Sequence, residues 1–118
     1  MFVLIIDDEE MIGRLIKKQL TGTGLDVLMA GSLEDAALLI GRCQREEIAA
    51  IAVEGILGNY NVYHLVKEAR KDLGPNVPII AMSDAVTNRL LMEAGCSHQT
   101  QAKHQVAELI KSLLSITA

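Results

Sequence analysis

Four carboxylates in a row, Asp7 to Glu10, follow directly on a run of apolar residues, Phe2 to Ile6. A short β-branched apolar run is typical of a strand that is buried on both faces of a parallel sheet. The carboxyl ends of such strands are where α/β sheets bind ligands. Asp7 and Asp8 therefore present hard oxygen ligands for a cation at that edge. Alternatively the acids only begin the next helix, whose dipole they complement, and we assign the two glutamates to that role.

Two more polar residues stand at the ends of other predicted strands. Glu54 follows the apolar run 48–53 (IAAIAV), and Ser83 follows the run 77–82 (VPIIAM). Because parallel strands end at one edge of a sheet, we expect Asp7, Asp8, Glu54 and Ser83 to lie close together.

The remaining sequence predicts the elements that position these residues. Another strand is predicted over 25–30 (LDVLMA), and a polar edge strand within 96–102 (CSHQTQA). Segments with apolar residues at helical spacing separate the strands. In the fourth helix, which Asp84 caps, the inward positions are predicted to be Val86, Leu90, Leu91 and Ala94. Strands that alternate with helices predict one α/β domain, residues 1–118, with a parallel sheet covered on both faces and right-handed crossovers.

The composition argues against several classes of function. A net charge of −4 without a basic stripe argues against direct nucleic-acid binding, and no apolar run is long enough to span a membrane. The two cysteines, Cys43 and Cys96, form no CxxC motif, so reduced thiols and a cytoplasmic location are expected. Cys96, His98 and His104 do not complete a tetrahedral zinc set. We find no pair of nucleophile and base for a hydrolase, and no glycine-rich phosphate loop.

Together these features resemble the receiver domain of bacterial two-component response regulators, over essentially the whole chain. The most specific segments are VLIIDDEE near the amino end, IIAMSDA around Ser83, and the Glu-Ala-Gly that ends at Gly95. The resemblance implies a flavodoxin-like (βα)5 fold with strand order 2-1-3-4-5. It also implies a magnesium site, an aspartate that accepts a phosphoryl group, a hydroxyl that bonds the phosphate, and a lysine that counters its charge.

Several residues match this pattern position by position. Asp7 and Asp8 match the magnesium pair, and Ser83 matches the hydroxyl. Ile56, two residues beyond the acceptor position, would supply a backbone carbonyl to the metal. The resemblance thus implies a metal set of Asp7, Asp8, Ile56 and the acceptor residue, Glu54.

Other positions depart from the pattern. The acceptor position holds Glu54 instead of aspartate. Counted from Gly95, the lysine position falls on Ala102, with Lys103 one residue late and His104 in place of a proline. The aromatic position of the fifth strand falls on Gln99. The sequence therefore resembles a degenerate receiver, or pseudo-receiver, in which we expect Lys103 to be too distant to help.

The chemistry expected of Glu54 has three alternatives. As a phosphoacceptor it would be impaired, because its longer arm displaces the carboxylate by about 1.5 Å and misplacement near 1 Å can slow a reaction on the order of a hundredfold. It could instead reach Ser83 and mimic a phosphorylated state, or be a solvated carboxylate at a strand end. Crowded acids without a cation bind one, protonate or destabilise the fold, so weak Mg²⁺ or Mn²⁺ binding is predicted.

Two functions follow from these alternatives. The first is a non-catalytic signalling module that binds a protein partner, a histidine kinase or a downstream protein, without being phosphorylated. The second is a working phosphoacceptor that takes a phosphoryl group from a histidine kinase with Mg²⁺, on Glu54, with Lys103 replacing the absent lysine. The chain is predicted to be a monomer, or a homodimer that pairs through its fourth helix, fifth strand and fifth helix.

Overall fold

The computed structural model describes residues 1–116, so the last two residues of the predicted domain lie outside the described part. Its strands are β1 (Phe2–Ile6), β2 (Asp26–Ala30), β3 (Ile48–Val53), β4 (Ile56–Leu57), β5 (Tyr60–Asn61), β6 (Ile79–Ala81) and β7 (His98–Gln99). Its helices are α1 (Glu10–Gln19), α2 (Leu33–Arg42), α3 (Tyr63–Leu73), α4 (Ala85–Ala94) and α5 (Val106–Leu113). Single 3-10 turns cover Arg45–Glu47 and Lys103–Gln105.

The sheet has five parallel strands in the order β2-β1-β3-β6-β7. Counted among the sheet strands alone, this is the predicted order 2-1-3-4-5. All residues of β1 and β3 are buried, as expected for central strands that are covered on both faces. The predicted (βα)5 flavodoxin-like architecture is confirmed.

Two apolar layers cover the sheet because successive strand residues point to opposite faces. On one face, Leu4 and Ile6 of β1 belong to a cluster with residues of α2, α3 and α4. On the other, Val3 and Ile5 belong to a cluster with residues of α1 and α5. These two layers hold the strand ends in fixed register.

Two helices begin with side-chain caps, and the cap at Asp84 is the one that the sequence predicts. The Ser32 hydroxyl accepts a hydrogen bond from the Asp35 amide at 3.1 Å, and the Asp84 carboxylate accepts one from the Thr87 amide at 2.8 Å. Each cap satisfies an amide that the first turn of a helix leaves unpaired. The cap on α4 fixes where that helix begins, directly after Ser83.

The segment after Glu54 forms a small hairpin. Residues 56–57 and 60–61 pair as a two-stranded antiparallel hairpin, with Gly58 in its turn at a φ of +60°. A glycine adopts this left-handed conformation readily, which explains the tight turn. The predicted edge strand is confirmed as β7, which has only two residues.

The inward face of α4 differs from the prediction. Val86 and Leu90 are exposed, at 73% and 43%, whereas Thr87 and Asn88 are buried. The physical reason is that the Asn88 side chain bonds the backbone at Ser83 and at Thr100, which turns this face of the helix inward. Two apolar side chains therefore remain on the outer face of α4.

Within residues 1–116, the helices are all too short, or too polar, to cross a membrane.

Candidate functional site at the carboxyl edge of the sheet

Backbone hydrogen bonds continue the sheet by one residue beyond the central strands. The Asp7 amide donates to the Ala30 carbonyl at 3.0 Å, and the Glu54 amide donates to the Ile6 carbonyl at 2.8 Å. These bonds place Asp7 and Glu54 side by side at the ends of β1 and β3. The side chain of Asp7 is completely buried, and that of Glu54 is 17% exposed.

The ammonium group of Lys103 lies between these two carboxylates. Its Nζ is 2.7 Å from Asp7 Oδ2 and 2.9 Å from Glu54 Oε2. Our expectation that Lys103 is too distant is therefore wrong, and so is the argument from a missing cation that the domain has lost its phosphate chemistry. The count from Gly95 failed because β7 is short and, after three further residues, the chain enters a 3-10 turn that begins at Lys103, where the Gln105 side chain bonds the Ala102 amide at 3.2 Å.

Lys103 remains charged in this position. Partial burial lowers the pKa of its amine, but the hydrogen bonds to Asp7 and Glu54 and the charges of those carboxylates outweigh this effect. The net result is a pKa above the ordinary lysine value of 10.5. The charge of Asp7 and Glu54 is thus partly balanced by a cation of the protein itself.

The second oxygen of Glu54 bonds Ser83, as the longer side chain suggested. Ser83 Oγ donates to Glu54 Oε1 at 2.6 Å, and the Gly55 amide donates to the same oxygen at 2.8 Å. Charge-assisted hydrogen bonds of this kind are short and comparatively strong. Glu54 is therefore not a freely solvated carboxylate, because Lys103, Ser83 and Gly55 all donate to it.

Asp8 is directed to a different part of the edge. It is exposed, and its Oδ2 accepts a hydrogen bond from the Gly58 amide in the β4–β5 turn at 3.1 Å. Ile56 lies on β4 of that hairpin with its side chain half exposed. The role predicted for the Ile56 carbonyl stays a prediction.

The residues present do not fit a preformed magnesium site. Among residues 1–116, no group of three Asp, Glu, His or Cys side chains is arranged to hold a metal ion. An octahedral oxygen site needs free carboxylate oxygens, whereas Asp7 Oδ2 and Glu54 Oε2 face the ammonium of Lys103. Weak magnesium binding was predicted because the acids were expected to lack a nearby cation, and that premise is wrong.

Asn88 is a positioning residue that the sequence reasoning missed. Its side chain is 3% exposed. It accepts a hydrogen bond from the Ser83 amide at 2.8 Å and donates one to the Thr100 carbonyl at 3.1 Å. Asn88 thus connects the segment that carries Ser83 to the segment that leads to Lys103. An asparagine five residues after Ser83, in the first half of a helix, was the only signal.

Gly55 was also missed. A Cβ atom at this position would overlap the Thr87 side chain and would lie 3.4 Å from Ser83 Oγ. The glycine therefore allows α4 to approach the end of β3, which brings Ser83 within reach of Glu54.

A cleft of about 440 Å³ opens beside the site, between the start of α4 and the end of β7. Asp84, Asn88, Gln99 and Gln101 are among the residues that line it. Gln99, which stands at the position of the family's aromatic, is exposed on this edge strand. The cleft therefore extends from Ser83 to Gln99 on the edge strand β7.

Comparison with known proteins identifies the fold. No family model and no curated protein matches the sequence. Among solved structures, a two-component response regulator from Clostridium difficile superposes with a TM-score of 0.79 at 20% identity, over 97% of this chain and 95% of that one. A response regulator receiver domain protein (CheY-like) from Methanospirillum hungatei superposes with a TM-score of 0.78 at 20% identity, over 97% and 93%.

A third similar structure contains a modified site. It is a response regulator protein from Burkholderia pseudomallei with a phosphorylated aspartic acid, a calcium ion and citrate. It superposes with a TM-score of 0.78 at 25% identity, over 96% of this chain and 65% of that one. The chain therefore has the fold of the response regulator receiver domains, as the resemblance implied.

Proposed function

We propose that this chain is a signalling module of receiver type that binds a protein partner without being phosphorylated. The observation that carries the proposal is the engagement of both Glu54 oxygens, one by Ser83 and the other by Lys103. In the receivers that the sequence resembles, the hydroxyl and the lysine at these positions contact the phosphoryl group. Here the carboxylate of Glu54 makes both contacts without it.

The engaged carboxylate is a poor nucleophile for phosphoryl transfer. An acceptor must present a free oxygen in line with the donor, and a metal must neutralise the transferring group. Glu54 would have to release either Ser83 or Lys103 before it could attack. We therefore assign Glu54, Ser83 and Lys103 to a fixed internal arrangement that resembles the phosphorylated state, in a module without catalytic activity.

The outer face of α4 is the surface that we propose for the partner. Val86 and Leu90 are four residues apart and exposed there. A partner that covered these two side chains would bury apolar surface that the isolated chain exposes to water. The proposed partner is a histidine kinase or a downstream signalling protein of the cytoplasm, or a second copy of the chain.

The position of Lys103 favours one other function. A cation 2.9 Å from the acceptor position is the group that a working receiver needs to stabilise the transferring phosphoryl group. The alternative is therefore a phosphoacceptor that forms an acyl phosphate on Glu54.

Incubation with acetyl phosphate and Mg²⁺, followed by intact-mass measurement, distinguishes the two functions. We expect the mass of the wild-type protein to stay unchanged. A phosphoryl adduct that is lost in Glu54→Gln and retained in Glu34→Gln, which alters an exposed carboxylate on α2, would establish the alternative and overturn our proposal.

A further inference from the structure

We infer that Lys103 takes the place of the divalent cation at this edge of the sheet, so that the folded domain does not respond to Mg²⁺ until this amine is removed. The inference concerns the cation alone and does not depend on whether a partner binds.

The distances place the ammonium group where an ion would bind. Nζ lies 2.7 Å from Asp7 Oδ2 and 2.9 Å from Glu54 Oε2. A magnesium ion that used the same two oxygens would lie about 2.0–2.1 Å from each of them. Because Nζ already lies within hydrogen-bond distance of both oxygens, an ion that bound them from the same side would overlap it. The amine and the ion are therefore alternative occupants.

The other oxygens of the two acids are engaged as well. Asp7 Oδ1 accepts a hydrogen bond from the Glu9 amide at 2.8 Å. Glu54 Oε1 accepts from Ser83 and from Gly55. An ion that entered while Lys103 stayed in place would have to displace one of these donors and would also face a positive charge. The two acids therefore offer no vacant pair of oxygens.

The amine of Lys103 is held at the site by the structure of the chain around it. It lies in a 3-10 turn that is closed at one end by the Gln105 side chain and followed at once by α5. Its side chain is 24% exposed, so the amine reaches the acids from the rim of the site. Because the ammonium group belongs to the protein, its presence does not depend on the concentration of an ion in solution, whereas the occupancy of a metal site does.

The test is the melting temperature of the full chain during titration with MgCl₂, against NaCl at the same ionic strength. We expect the wild type to respond equally to both salts. In Lys103→Met, which keeps an unbranched side chain only one atom shorter and removes the charge, Asp7 and Glu54 lose their cation. We expect Mg²⁺ to raise the melting temperature of this variant by about 4–8 °C beyond the effect of NaCl.

Lys67→Met is the matched control, because Lys67 is an exposed lysine on α3. It should respond to Mg²⁺ as the wild type does. A specific Mg²⁺ response of the wild type equal to that of Lys103→Met would overturn the inference. So would a Lys103→Met protein that folds and shows no gain.

A measurement on the wild type covers the case in which Lys103→Met fails to fold. Paramagnetic Mn²⁺ broadens the NMR signals of amides close to its binding site. We expect the amide signals of Glu9 and Gly55 to remain sharp at Mn²⁺ concentrations that do not broaden the control amide of Lys67. Selective broadening of Glu9 and Gly55 would show a metal beside Lys103 and overturn the inference.

Discussion

The hydroxyl of Ser83 donates a 2.6 Å hydrogen bond to the carboxylate of Glu54, which joins the ends of the neighbouring strands β3 and β6. Aspartate has a side chain one methylene shorter, so this contact depends on the substitution of glutamate at the acceptor position. The bond fixes the segment from which α4 begins, and α4 carries the proposed partner surface. Glu54 is thus connected to that surface through a single hydroxyl.

Ser83→Ala tests this connection. We expect the free energy of unfolding to fall by about 1–2 kcal/mol, because a partly buried carboxylate oxygen loses a charge-assisted donor and keeps only the Gly55 amide. Chemical denaturation provides the measurement. Ser112→Ala, in an exposed position of α5, should leave the stability unchanged or slightly higher. Equal stability of the two variants would contradict the role of the hydroxyl.

The pH dependence of stability should identify the ion pairs of Lys103. Its pKa is raised in the folded state, so the folded protein binds more protons than the unfolded chain above pH 10.5, the ordinary lysine value. The contribution is complete below that pH and is lost as the pH rises through the folded pKa. Asp7 and Glu54 are the carboxylates that face the amine.

Urea denaturation between pH 9 and pH 12 therefore checks the titration of Lys103. The stability of the wild type should fall more steeply with pH than that of Lys103→Met. The exposed-lysine variant Lys67→Met should follow the wild type. Parallel curves for all three proteins would refute the assignment.

Gly55→Ala should be strongly destabilising although it adds only one methyl group. The new Cβ would overlap Thr87, and moving α4 away to make room would stretch the bond between Glu54 and Ser83. Overpacking of this kind costs about 1–3 kcal/mol. Thermal unfolding measures the effect.

Gly41→Ala is the matched control for that substitution. Gly41 lies near the end of α2, and a Cβ there meets no atom of the described residues within 4 Å. Alanine is the better helix former, so the control should be more stable than the wild type by about 0.5–1 kcal/mol. Similar losses in both variants would mean that Gly55 has no special place in the site.

Asn88→Ala should loosen both the segment that carries Ser83 and the segment that leads to Lys103. It leaves the Ser83 amide and the Thr100 carbonyl without the side-chain partner they share. An unsatisfied buried group costs about 1–3 kcal/mol. We expect faster hydrogen exchange at Ser83, with little change in Asn76→Ala, which alters an exposed residue. Unchanged exchange at Ser83 would contradict this positioning role.

The sequence was sufficient to predict the sheet and the residues at its edge. Unbroken apolar runs identified β1 and β3 at their observed bounds, since central strands bury both faces. The same rule placed Asp7, Glu54 and Ser83 at one edge. These predictions succeeded because an unbroken apolar run is a local property of the sequence. The alternation of strands with helices then makes the strands parallel, so that their carboxyl ends meet at one edge.

The errors arose where the geometry depends on non-local hydrogen bonds. Lys103 was placed by counting residues from Gly95, and the 3-10 turn after β7 made that count invalid. A better signal was available, since Lys103 is the only lysine or arginine between Gly95 and Val106. The inward face of α4 was misjudged because apolar positions were preferred over Asn88, whose buried amide bonds two backbone segments.

The ion pair between Lys103 and Asp7 joins residues that are 96 positions apart, which has a consequence for synthesis of the chain. The ribosome delivers the amino end first. A nascent chain that ends at β6 already contains Asp7 and Glu54 but not the amine that offsets their repulsion. The edge therefore gains the amine that partly offsets these carboxylates only when translation has passed residue 103.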